Sequence, residues 1–127
     1  MADAVLDASA ILARVLDEPG REVVEAVIDG ASVSAVNLTE VAQRLVDLGA
    51  NDQGVAETIR ALSLQIVGFD EDLGLQAGLL RRATRSKGLS LGDRACLALG
   101  RRLGLPVYTA DHAWAELDLG VEVVLIR

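Results

Sequence analysis

The chain has 127 residues, 19 acidic against 12 basic, with a net charge of −7, 51% hydrophobic content and only 2% aromatic. That length suits one domain spanning residues 1–127, and so apolar a composition excludes a disordered chain. The negative balance excludes a basic wrapper of nucleic acid at whole-chain level, and the longest uncharged stretch, Gly30 to Thr39, falls well short of the ~20 residues a membrane span needs.

The N-terminus, Met1 to Leu6, has neither a basic leader region nor a long apolar run, so no secretory signal is expected. Ala4-Val5-Leu6 reads as a first buried strand ending at Asp7. Ser9 to Leu16 reads as a short helix stopped near Pro19-Gly20, and Arg21 to Ile28 as a second, ended by Gly30. Ser32 to Ala35 is the second strand. From Leu38, apolar residues at 38, 41, 42, 45 and 46 follow the amphipathic-helix template, closed by Gly49. Asp52 to Ala61 is a further helix, and Leu64 to Val67 the third strand. Asp72 to Arg85 reads as one helix, broken at Gly88. Leu91 to Leu103 is another, closed by Gly104 with Pro106 beyond. Val107 to Thr109 is the fourth strand, a short helix follows Asp111, and Val121 to Ile126 is the last strand. The sole cysteine, Cys96, excludes intrachain disulfides and cysteine-rich zinc sites. A cytoplasmic protein without membrane contact is expected. A chain this short buries only about two-thirds of its unfolded surface. Its apolar excess therefore implies either an alanine-rich core or exposed patches of the kind that mark interfaces.

Strands alternating with helices predict an α/β sandwich around a mostly parallel sheet. In such sheets the site lies beyond the carboxyl ends of the strands, near a topological switch point. Asp7 follows the first strand and Asp111 the fourth. Glu40 is expected in the first turn of the helix after strand two, and Asp93 in the first turn of the helix before strand four. Were strands one and four neighbours, all four carboxylates would converge at one end of the sheet. Unscreened, they would repel until one or more took up a proton. A divalent cation removes the conflict, and hard oxygen ligands without imidazole or thiolate select Mg²⁺ or Mn²⁺. Each acid alone reads first as a helix cap: Asn37-Leu38-Thr39-Glu40 and Ser90-Leu91-Gly92-Asp93 have capping-box form, and Asp7 and Asp111 precede helices. Together at these four positions they favour a site, because a helix N-terminus also stabilises a nearby carboxylate.

These residues carry a resemblance. Val5-Leu6-Asp7-Ala8-Ser9-Ala10, Asn37-Leu38-Thr39-Glu40-Val41, Leu91-Gly92-Asp93-Arg94-Ala95-Cys96 and Tyr108-Thr109-Ala110-Asp111-His112 are similar, in order and spacing, to the four signatures of PIN-domain ribonucleases. Within that family they resemble the VapC toxins of bacterial toxin–antitoxin pairs. The resemblance spans essentially the whole chain. It implies a three-layer α/β/α sandwich on a parallel five-stranded sheet, Mg²⁺- or Mn²⁺-dependent RNA hydrolysis, homodimerisation and inhibition by a VapB-type antitoxin. Carried over by position, Asp7, Glu40, Asp93 and Asp111 become the catalytic, metal-binding acids. Ser9 and Thr109 match small hydroxyl positions beside them, and Asn37 the polar position before the glutamate. Some relatives have a further acid shortly after the fourth aspartate, where this chain has Ala113 and Trp114, a departure from the pattern of a complete second metal site.

An acidic site must still attract RNA. The window from Arg81 to Arg102 holds Arg81, Arg82, Arg85, Lys87, Arg94, Arg101 and Arg102 against one acid, Asp93. Arginine suits phosphates and antitoxin carboxylates alike, which makes Arg81, Arg82, Arg85, Arg94 and Arg101 the candidate contacts. Aromatic stacking platforms are nearly absent, and Trp114 reads as packing under the last helix. Gly88-Leu89-Ser90-Leu91-Gly92 matches the G-x-S-x-G of hydrolases but lacks the preceding strand that motif needs. Cys96 falls among apolar neighbours and reads as buried rather than paired with His112. A receiver domain would need a lysine after strand five, and a small phosphatase Asp-x-Asp where Asp7-Ala8-Ser9 stands. A catalytically silent PIN-like binding module would lack the acids, and all four are present.

Overall fold

Five short strands, β1 (Val5–Leu6), β2 (Ser32–Ser34), β3 (Gln65–Val67), β4 (Val107–Thr109) and β5 (Val123–Leu125), pair in parallel in the order β3-β2-β1-β4-β5. The computed structural model describes residues 3–127; Met1 and Ala2, which open the N-terminal segment read above, lie outside them. Parallel pairing requires crossovers, and helices supply them. Helices α1 (Ala8–Val15) and α2 (Arg21–Glu25) connect β1 to β2, while α3 (Ala35–Asp47) and α4 (Asp52–Arg60) connect β2 to β3. The return to β4 runs through α5 (Glu71–Leu79), α6 (Arg81–Thr84), a 3₁₀ turn at Arg85–Lys87 and α7 (Leu91–Leu103). A second 3₁₀ turn, His112–Glu116, leads to β5.

The side-chain alternation of a strand decides the layers. Leu6 and Val33 pack with Ile11, Val24 and Val41 on one side of the sheet. Val5 and Val107 pack with Leu73, Leu97, Leu99 and Trp114 on the other. A sheet covered on both faces needs near-continuous apolar strands, and both residues of β1 are fully buried. The result is the expected three-layer α/β/α sandwich, with a sheet that is wholly parallel.

Strand order places the site. The chain steps outward from β1 to β2 and β3, then returns to the other side of β1 for β4. Val5 stands opposite Val107 and Leu6 opposite Tyr108, so the carboxyl ends of β1 and β4 are level, and the switch point opens between them.

Local readings differ from the structure at several element boundaries. Ala35 begins α3 instead of ending β2, because Ser34 caps the helix with its Oγ accepting from the Val36 N–H at 3.2 Å. Asn37 is therefore inside the helix rather than at its cap, and Glu40 falls in the second turn, not the first. The segment from Asp72 to Arg85 is not one helix. Gly74 and Gly78 weaken it, and it gives way to a turn residue at Leu80 between α5 and α6 and to the 3₁₀ turn from Arg85. Helix α2 stops at Glu25, short of Ile28, and β5 is only Val123–Leu125. Helix α7 ends as expected at Gly104, whose φ of +64° suits a residue without Cβ. No helix among the described residues is long and apolar enough to cross a membrane.

Candidate active site

Asp7 leaves β1 as the N-cap of α1, and only 5% of its surface is exposed. Its Oδ1 accepts from Ser9 Oγ at 2.7 Å and from the Ala10 N–H at 2.8 Å, while Oδ2 accepts from Thr109 Oγ1 at 2.6 Å. The two hydroxyls in turn accept from the loop after β4: Ser9 Oγ from the Ala110 N–H at 2.9 Å, Thr109 Oγ1 from the Asp111 N–H at 3.0 Å. Both oxygens of the carboxylate are thus fixed across the β1–β4 seam. Burial still dominates its electrostatics and pushes the carboxyl up to about 6; the Thr109, Ser9 and Ala10 hydrogen bonds oppose that rise, and the Asp93 charge adds to it.

Glu40 comes from α3 and reaches the N-terminus of α7. Asn37 Nδ2 donates to Glu40 Oε1 at 2.7 Å and to the Gly92 carbonyl at 3.1 Å, so one buried amide joins the two helices. Asp93 and Ser90 form a full capping box on α7: Oδ2 of Asp93 accepts from the Ser90 N–H at 2.9 Å, and Ser90 Oγ from the Asp93 N–H at 3.2 Å. Asp111 caps the 3₁₀ turn after β4, its Oδ1 accepting from the Ala113 N–H at 2.9 Å. Capping and convergence coexist in these acids.

Asp7, Glu40, Asp93 and Asp111 line one cleft of about 420 Å³ together with Ser9 and Asn37, and no lysine or arginine joins them. Thr109 lies buried behind Asp7. Among the described residues no three such acids approach closely enough to hold an ion directly between them. A divalent cation fits the donor set nonetheless. All the donors are hard oxygens, the buried Asn37 Oδ1 has no hydrogen-bond partner, and Mg²⁺ takes one or two carboxylates while keeping several waters. Cys96 sits buried against this cleft, where burial and the charges of Asp7, Asp93 and Glu40 hold its thiol protonated. It is no nucleophile. His112 is exposed and bonds the Arg127 carbonyl at 2.7 Å. Ser90 follows a 3₁₀ turn instead of a strand, so the G-x-S-x-G match has no nucleophile elbow. Trp114 is fully buried in the core beneath the last turn.

The basic candidates separate into groups. Arg94 is half-buried and donates from Nη1 to the Ala77 carbonyl at 3.0 Å, pinning α7 to α5. Arg102 pairs with Asp70 at 2.9 Å. Lys87 pairs with Glu116 at 3.0 Å, which holds the turn before α7 beside the turn after β4. Arg81, Arg82, Arg85 and Arg101 are exposed. Arg82 and Arg101 line a separate groove with Leu79, Leu80 and Leu119, about 12 Å along α7 from Asp93 at the helical rise. Sequence reasoning passed over Gly92 as a site residue. The available signal was a glycine in a first helical turn, where alanine is the better helix former.

A doubly wound parallel sheet with carboxylates gathered at its switch point defines a class of α/β domain with an acidic cleft. Family comparison makes this specific: the PIN domain model matches residues 4–119, and the chain belongs to the PIN domain family. Among solved structures it is similar to DNA-bound VapBC from Salmonella typhimurium (TM-score 0.79, 18% identity, 100% of each chain). It is also similar to a toxin–antitoxin complex from Klebsiella pneumoniae (TM-score 0.76, 21% identity, 98% of each chain). A third is a Mycobacterium tuberculosis VapC toxin described as cleaving the sarcin–ricin loop (TM-score 0.72, 15% identity, 91% of this chain and 96% of that one). At such identities the likeness is one of fold. No curated protein matches the sequence.

Proposed function

We propose that this PIN-domain protein is a Mg²⁺- or Mn²⁺-dependent endoribonuclease that hydrolyses RNA phosphodiester bonds, and the toxin of a VapBC-type pair. The observation that carries the reading is a single cleft with four carboxylates and no basic side chain. Such a cleft is self-repelling at neutral pH unless a cation enters.

Asp7, Glu40, Asp93 and Asp111 would hold the ion. When bound, it supplies the positive charge that a scissile phosphate and an attacking water both require. The protein's own groups divide the remaining work. Asp7 has both oxygens engaged and serves as a fixed anchor. Asp93 commits Oδ2 to its helix cap and Glu40 commits Oε1 to Asn37. Each keeps its second oxygen for the cleft, as does Asp111 beyond its Oδ1 cap bond, and we assign the orienting of the water or the taking of its proton to Asp93 or Glu40.

The antitoxin partner is supported by the neighbours crystallised as toxin–antitoxin complexes. Homodimerisation is supported by apolar residues left outside, notably Leu75 and Leu79, one turn apart on α5 and each more than half exposed. Cleavage of a structured RNA pool by antitoxin-free protein, with Mg²⁺ or Mn²⁺ and with chelator, tests the activity. Cutting that requires both the ion and Asp93, and disappears in Asp93→Asn, is expected. Cutting that persists in chelator and in the variant removes the reading.

A further inference from the structure

We infer that Gly92 is a positioning residue for Glu40: its missing side chain is the seat in which the Glu40 carboxylate reaches the cleft. This rests on the reading of Glu40 as an ion-holding acid. A Cβ on Gly92 would stand 2.5 Å from both Oε1 and Oε2 of Glu40 and 2.6 Å from its Cδ. The carboxylate therefore lies flat against the Gly92 Cα, at a separation no side chain allows.

Backbone freedom does not explain this glycine. Its φ is outside the left-handed region, and it lies in the first turn of α7, where alanine is the better helix former. Nor can the backbone easily retreat from an added methyl. The Gly92 carbonyl accepts from Asn37 Nδ2, and the next residue is locked into the capping box with Ser90. The same Asn37 amide holds Glu40 Oε1, so carboxylate and helix start are clamped together from one side. The component free to move is the end of the Glu40 side chain. An alanine at 92 thus leaves the helix intact and expels the carboxylate from its place. Asp93, one residue on, keeps its own hydrogen bonds.

The test is a double-mutant cycle of Gly92→Ala and Glu40→Ala, read by calorimetric titration with Mn²⁺ and by thermal melts in chelator. Gly92→Ala is expected to weaken Mn²⁺ binding by about tenfold or more, the range for residues that orient a metal ligand. In the Glu40→Ala background the same change should be silent toward Mn²⁺, with a melting temperature equal or higher. Wild-type affinity in Gly92→Ala, or an equal loss in both backgrounds, overturns the inference. Should Gly92→Ala fail to fold, folding restored in the double variant supports the steric contact, and a double variant that also fails overturns it. If Glu40→Ala itself binds Mn²⁺ like wild type, the assignment of Glu40 as a ligand is what fails, and the inference falls with it.

Discussion

Asp7→Asn in the metal-free protein removes a buried charge while keeping the side-chain volume. The carboxyl of Asp7 rises from an ordinary 3.8 to about 6. At 1.36 kcal/mol per pH unit, that rise corresponds to about 3 kcal/mol by which the ionised form disfavours the fold above pH 6. The sign follows from proton binding: between pH 3.8 and 6 the folded state binds the proton and the unfolded state does not. This contribution therefore increases stability as pH falls through 6, and the gain is complete below 3.8. The amide escapes the penalty at neutral pH. It keeps the Ser9 and Ala10 bonds on its oxygen, but its nitrogen must turn the Thr109 hydroxyl around, at a cost of about 1 kcal/mol. The net expectation at pH 7.5 in chelator is a stabilisation of about 1–2 kcal/mol, or roughly 4–8 °C in Tm for a domain of this size. Melts from pH 4 to 8 should show this advantage shrinking through pH 6. Added Mn²⁺ should reverse the order, since an ion at a hundredfold over its Kd adds about 2.7 kcal/mol to the wild type. A destabilised variant at neutral pH, with a pH profile parallel to the wild type, would refute the reasoning.

Two further outcomes follow from packing and charge. Gly100→Ala places a Cβ against Val107 Cγ1 in the core between α7 and β4, and should cost about 1–3 kcal/mol, read by chemical denaturation with cleft chemistry otherwise intact. Charge reversal of Arg82 and Arg101 together should weaken RNA or antitoxin binding. If RNA is the partner, the salt dependence of binding should drop by about one counterion per lost phosphate contact; unchanged affinity for both partners would leave these arginines a solvated face.

Much of the local structure was legible because it rests on local rules. The buried strands announce themselves as Ala4-Val5-Leu6 and Val107-Tyr108-Thr109, and the caps as Asp7, Ser90 and Asp111, each of which accepts from a backbone N–H two or three residues on. The misreading at Ala35 shows the limit of such rules. Ser34 ends a strand and caps a helix at once, so hydrophobic pattern alone shifts the boundary and with it the turn that holds Glu40. The segment after Asp70 reads as continuous by hydrophobic pattern, and its division at Leu80 has no local signal beyond Gly74 and Gly78.

What the sequence determined by itself is the alternation of strand and helix, the placing of acids at strand ends and helix starts, and a supply of only one cysteine and one histidine. Only the tertiary structure decided that these acids meet. Thr109 grips Asp7 across 102 residues of chain, and Asn37 grips Gly92 across 55, because β4 returns to the far side of β1. The intimate contact of Glu40 with Gly92 has no sequence signature beyond a glycine where a helix would prefer alanine. The physical reason is range: caps and periodicity act over a turn of chain, whereas a site built at a switch point depends on strand order and on the space one residue leaves for another.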